Sequence, residues 1–123
     1  MKLSEEVKQF IKGTEFMPIA TSGDAGAHLV STWGGENKDG YVFIIDDETI
    51  AWPAGTYRKT EENVRKTEKV QTLVALREKH NGYRLEGTAK FIVNGPIHRM
   101  IKERFPWARA AVVMKIERYE KLL

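Results

Sequence analysis

Apolar positions follow a helical period at the start of the chain and a strand period through most of the rest. Val7, Phe10 and Ile11 share one helical face, preceded by Ser4 as a candidate N-cap and by Glu5 and Glu6, which complement the helix dipole. Gly13 marks the end of this helix. From Met17 the pattern becomes that of strands. Met17 to Thr21 and His28 to Trp33 flank the turn Gly23-Asp24-Ala25-Gly26 and read as a hairpin. Asn37-Lys38-Asp39-Gly40 leads into an apolar strand from Tyr41 to Ile45. Trp52-Pro53-Ala54-Gly55 interrupts the regularity, and Pro53 confines any strand there to an edge or an end.

Thr60 is read as the N-cap of a helix from Glu61 to about Lys66. Val70 to Arg77 looks like a strand that is apolar on both faces. Asn81-Gly82 gives a hairpin turn signal, and Tyr83 to Val93 a long strand with Gly87 as a bend or bulge. Asn94-Gly95-Pro96 opens a short helix, and Ala110 to Ile116 is the last strand. The sum is a mainly β domain of six antiparallel strands with short helices between them, closed or nearly closed into a barrel.

Length adds that residues 1–123 make one domain. Hydrophobic residues at 41% and charged residues at 30% are those of a soluble globular protein. No apolar run approaches the roughly 18 residues of a membrane span, so no membrane partner is expected. The opening Met1-Lys2-Leu3-Ser4-Glu5-Glu6 turns acidic where a signal peptide would be apolar, and there are no cysteines. A cytoplasmic location is the expectation. The net charge of +3 is a mild excess spread along the chain, compatible with an anionic ligand and weak support for nucleic acid.

Candidate chemistry is sparse. The histidines at 28, 80 and 98 lie far apart in different elements without ligand spacing, so no metal is expected. No nucleophile elbow, P-loop or dinucleotide fingerprint is present. Asp46-Asp47-Glu48 reads as a solvated loop. The most informative stretch is Arg58-Lys59-Thr60-Glu61-Glu62-Asn63. A helix beginning there offers free backbone N–H groups, a hydroxyl and two cations, the ingredients of a phosphate site. Glu61 and Glu62 also serve the dipole, and on spacing alone an ordinary capped surface helix is the simpler account. Ser31-Thr32-Trp33 ends a strand with two hydroxyls and an indole, suited either to a phosphate and an aromatic ligand or to core and solvent. Trp107, in Phe105-Pro106-Trp107-Ala108-Arg109, suits a barrel plug, a subunit contact or a ligand wall. Trp52 is equally ambiguous.

Three blocks together carry a resemblance. His28-Leu29-Val30-Ser31-Thr32-Trp33, Lys59-Thr60-Glu61-Glu62-Asn63-Val64 and Phe105 to Val113 resemble, in order and rough spacing, the small FMN-binding proteins among the pyridoxamine-5′-phosphate-oxidase-like flavoproteins. The resemblance implies a six-stranded antiparallel split β-barrel, a homodimer, and FMN held at the subunit interface. It implies that Lys59 and Thr60 hold the phosphate, at the terminus where Arg58 also stands, and that Ser31, Thr32 and Trp33 line phosphate and ring. Pro53, Ala54 and Gly55 would run their backbone along the ring, with Trp107 and Leu123 approaching it from the partner subunit. Glu36 departs from the pattern where an aromatic is expected, and Ser31 where an amide is. The implied role is electron transfer or flavin-dependent oxidoreduction with an unknown redox partner or substrate. An NAD(P)H-linked flavin reductase is the alternative within that class. A basic barrel binding single-stranded nucleic acid through exposed aromatics is the alternative outside it.

Overall fold

The computed structural model describes residues 2–123. Helix α1 (Glu5–Gly13) begins as its sequence dictates, with the Ser4 hydroxyl accepting from the Val7 N–H at 3.1 Å. Val7, Phe10 and Ile11 are its buried face. Strands β1 (Phe16–Gly23) and β2 (Gly26–Trp33) form the expected hairpin, pairing in register from Phe16↔Trp33 to Gly23↔Gly26. β2 pairs with nothing else along its length and contains no Asp, Glu, Lys or Arg.

The connection after β2 crosses close to the chain before it. Gly34 and Gly35 donate to the carbonyls of Glu15 and Thr14, each at 2.9 Å, and Gly40 packs on Gly34. A Cβ at Gly34 would lie 1.8 Å from the Thr14 carbonyl oxygen, so only glycine permits this crossing. The expected strand from Tyr41 to Ile45 contracts to β3 (Phe43–Ile44).

The sheet has seven strands rather than six. The additional one, β4 (Thr49–Ala54), runs through Pro53. It is buried on both faces and so shows no alternation in sequence. β3 pairs only with Ile50 and Ala51, so at Pro53 the strand is an edge, where a missing N–H is tolerated.

Helix α2 (Arg58–Thr67) starts three residues before the expected Glu61. Thr60 is therefore not its cap. The N-cap is Tyr57, in the left-handed region at φ 44° and without a side-chain cap bond. β5 (Lys69–Leu76) alternates, with Val70, Thr72, Val74 and Leu76 buried, rather than being apolar on both faces. The next turn is built by a 3-10 turn over Arg77–Lys79 with His80 left-handed, while Asn81 and Gly82 open β6 (Asn81–Ile92). Gly82 serves close packing instead of turning, because a Cβ there would stand 2.8 Å from the Val74 carbonyl oxygen. The bulge at Gly87 is present as a register shift between Glu86 and Gly87. Helix α3 (Gly95–Arg104) carries Pro96 in its first turn, and β7 (Ala110–Lys121) extends beyond the expected Ile116.

Strand order is β2-β1-β5-β6-β7-β4-β3, all pairings antiparallel. The sheet is not a closed barrel. Its two ends meet just beyond the strands, at an isolated bridge between Gly35 and Val42 beside the Val42 N–H bond to the Gly34 carbonyl at 2.9 Å. α1 contributes to the larger core with Met17, Ile19, Trp52, Leu85, Met114 and Ile116. On the opposite face of β7, α3 builds a smaller core from Phe43, Ile101, Ala108 and Ala111. No helix among the described residues is long and apolar enough to cross a membrane.

Candidate functional site

A cleft of about 730 Å³ opens where β2 ends, β1 begins and β4 runs out toward α2. That is an ordinary size for a small-molecule site. Its walls are Phe16, Trp33, Tyr41, Pro53, Tyr57 and Trp107, with Ser31, Thr32, Gly55 and Thr56 adding polar edges. None of these is an Asp, Glu, Lys, Arg or His side chain. Phe16 and Trp33 are cross-strand partners and stay 55% and 64% exposed, as does Trp107 at 52%. So much uncovered aromatic surface around one concavity marks a binding face.

The aromatic wall is braced from behind. Tyr41, Phe105 and Trp107 stack in tilted pairs with ring centroids 4.6 to 5.6 Å apart. Gly55 passes under Trp107 so closely that a Cβ there would lie 3.4 Å from the indole. Tyr57 crosses the mouth and donates its phenol to the Ser31 carbonyl at 2.7 Å. Burial pushes the Tyr57 phenol above its ordinary value. Holding a bulky residue at positive φ costs about 1–3 kcal/mol, and such strain gathers at ligand clamps.

Tyr57 also delivers the chain into α2, whose first turn has no side-chain cap. The N–H groups of that turn are left for an external acceptor. Thr60, in the same turn, is 3% exposed, and its hydroxyl has no hydrogen-bond partner. Thr56, whose carbonyl such a hydroxyl ordinarily bonds four residues on, is engaged by Arg109. Lys59 is exposed and 3.7 Å from Glu62, a weak surface pair that leaves the ammonium free to swing. Arg58 is also exposed. Glu61 does not face an incoming anion. Its carboxylate is taken by Arg65 and Arg109, both at 2.7 Å. Burial alone would raise the Glu61 carboxyl, but these bonds outweigh it and hold it below the usual carboxylate range.

The structure thus brings Ser31, Thr32, Trp33, Pro53, Gly55 and Trp107 to one cleft. Ala54 lies within the lining segment, fully buried, its carbonyl accepting from the Arg109 N–H at 2.9 Å. Arg58, Lys59 and Thr60 stand beyond Tyr57, on the turn that follows the cleft rather than in its wall. Trp107 reaches the cleft of its own chain. Leu123 does not; it bonds Asn81 through its N–H at 3.1 Å and is 86% exposed. Glu36 heads an exposed 3-10 turn, and the aromatic at the cleft is Tyr41 instead. Phe16, Thr56 and Tyr57 were not legible as site residues. Only the position of Tyr57 directly before Arg58-Lys59-Thr60 hinted at it.

A family profile described as pyridoxamine 5′-phosphate oxidase matches residues 3–122. An FMN-binding protein of Nitratidesulfovibrio vulgaris (strain Miyazaki F) is 34% identical over 121 residues, covering 94% of this chain and 94% of that protein. HupZ of Group A Streptococcus shares the fold at a TM-score of 0.82 with 22% identity, covering 98% of this chain and 94% of that one. An FMN-binding protein of Syntrophomonas wolfei superposes at 0.73 with 15% identity, covering 96% and 89%.

Proposed function

The chain belongs to the pyridoxamine 5′-phosphate oxidase family, and from that premise we propose that it binds FMN in this cleft and serves a redox role. The observation that carries the reading is the continuity of an uncharged aromatic cleft with the uncapped first turn of α2, where Thr60 keeps an unpartnered hydroxyl. A flat aromatic ring with a phosphate at the end of a short polar chain matches that sequence of surfaces. The name of the Nitratidesulfovibrio relative supports the same ligand.

In this reading Trp33 and Trp107 cover the ring, the Pro53-Ala54-Gly55 backbone runs along it, and Ser31 and Thr32 bond its polar edge or ribityl chain. The α2 N–H groups, Lys59 and Arg58 hold the phosphate. The Thr60 hydroxyl, buried and unpartnered in the same turn, is the side-chain donor this reading assigns to the phosphate. FMN, when bound, supplies one- and two-electron redox chemistry. The cleft lining has no carboxylate, lysine or histidine to move a substrate proton.

The same reading makes the protein a homodimer with FMN at the interface. Exposed Phe16, Trp33 and Trp107 gather around the cleft, Leu29 is exposed farther along β2, and Leu123 extends into solvent, available to the site of a second copy. The test is FMN titration followed by flavin fluorescence, with sedimentation of the loaded protein. Saturable one-per-chain binding in a dimer is the expected result. Failure to bind FMN at micromolar concentrations overturns the reading.

A further inference from the structure

Arg109 joins the two halves of this site without lining it. It follows Trp107 by two residues, and its backbone N–H donates to the Ala54 carbonyl at 2.9 Å. Its guanidinium donates to the Thr56 carbonyl and, at 2.7 Å, to Glu61 Oε1. Arg65 holds the other Glu61 oxygen at 2.7 Å. The Arg109 Nε is buried with no partner, although the side chain as a whole is 33% exposed.

These contacts divide by what they hold. The backbone bond to Ala54 fixes the wall beside Trp107 and survives any side-chain change. The guanidinium bonds fix Thr56 and Glu61, which set where α2 begins and which way its first turn faces. Each N–H and the Thr60 hydroxyl depend on that placement, because a charge-assisted hydrogen bond needs both length and direction.

We propose that Arg109 is a positioning residue that registers the α2 terminus against the aromatic cleft and thereby sets the preference for a phosphorylated flavin over riboflavin. This rests on the FMN reading. The ring-binding wall operates without the guanidinium, whereas the phosphate end does not. A general structural role would instead weaken both ligands alike.

The experiment compares dissociation constants for FMN and riboflavin in wild type, Arg109→Gln, Arg109→Lys and Glu61→Gln. Arg109→Gln should weaken FMN about tenfold while riboflavin stays within about twofold, so their affinity ratio collapses. Arg109→Lys, which keeps a cation for Glu61, should restore part of the ratio. Glu61→Gln reads the same partnership from the other side, and its ratio should fall as well, which keeps the test valid if Arg109→Gln does not fold. Parallel loss of both ligands, or an unchanged ratio, overturns the role of Arg109 alone. A wild-type protein that binds neither flavin overturns the FMN reading and this inference with it.

Discussion

Replacing Thr60 with valine should stabilise the ligand-free protein and weaken its grip on FMN. The two residues have nearly the same shape and similar helix preferences, so the change reduces to hydroxyl against methyl. In the free protein that hydroxyl is buried and bonded to nothing. An unpartnered buried hydroxyl costs about 1–2 kcal/mol, which the methyl recovers. For 123 residues at about 2.1 cal/mol/K each, the unfolding entropy is about 0.26 kcal/mol/K, so Tm should rise by roughly 4–8 °C. Binding moves the other way. Losing a hydrogen bond to a charged phosphate costs about 1.5–3 kcal/mol, at least tenfold in Kd. Differential scanning calorimetry of the free protein and fluorescence titration with FMN read the two arms. Thr60→Ser should keep FMN affinity near wild type. A lower Tm in the free Thr60→Val protein, or an unchanged FMN affinity, would refute the argument that this hydroxyl is held for a ligand.

Lys59→Ala should weaken FMN by about 1–3 kcal/mol while leaving Tm almost unchanged, since its partner Glu62 gives only a surface pair; titration and thermal melts check both. Ser4→Ala removes the one side-chain bond to the first turn of α1 and should cost about 1 kcal/mol in urea denaturation. Acid should loosen the attachment of α1. Hydrogen bonds from Tyr83 and Lys121 lower the Glu6 carboxyl, and one from Lys8 lowers Asp47. Their folded values lie below the unfolded ones, so this stability is full above about pH 4–5 and drains away as pH falls through the folded values. Urea midpoints measured across that range should show a smaller decline in Asp47→Asn than in wild type.

What the chain disclosed in advance was whatever a local rule governs. Ser4 with Glu5 and Glu6 specified a helix start, and Gly87 a bulge, because capping and close packing act within a few residues. The failures share a different cause. Thr60 looked like a cap, but Tyr57, in the left-handed region and bonded to Ser31 across the cleft, starts α2 earlier. Asn81-Gly82 looked like a turn, but contacts from β5 and from Leu122, whose N–H donates to the Gly82 carbonyl, draw both residues into a strand. Pro53 concealed β4 because its tolerance depends on how short β3 is. The cleft shows the same division. Trp33, Lys59 and Thr60 stood out by chemistry, whereas Phe16 and Tyr41 join the wall through the strand pairing and the glycine crossing, which are tertiary facts. The Arg109 bonds to Thr56 and Glu61 span 53 and 48 residues and left no trace in spacing.

The outer edge of β2, which no strand covers and which is bonded by the Tyr57 phenol at Ser31, has a consequence for how the protein behaves in a crowded solution. Eight residues of extended backbone lie there with Leu29 and Trp33 exposed and no Asp, Glu, Lys or Arg side chain to repel a neighbouring strand. Edges of that kind template strand addition, and other proteins blunt them with lysine, proline or a bulge. Colloidal stability at high concentration is therefore governed less by the net charge of +3 than by what covers this one strand. Anything that strips that cover exposes a seed for aggregation, and a lysine at position 29 is the smallest change that would remove it.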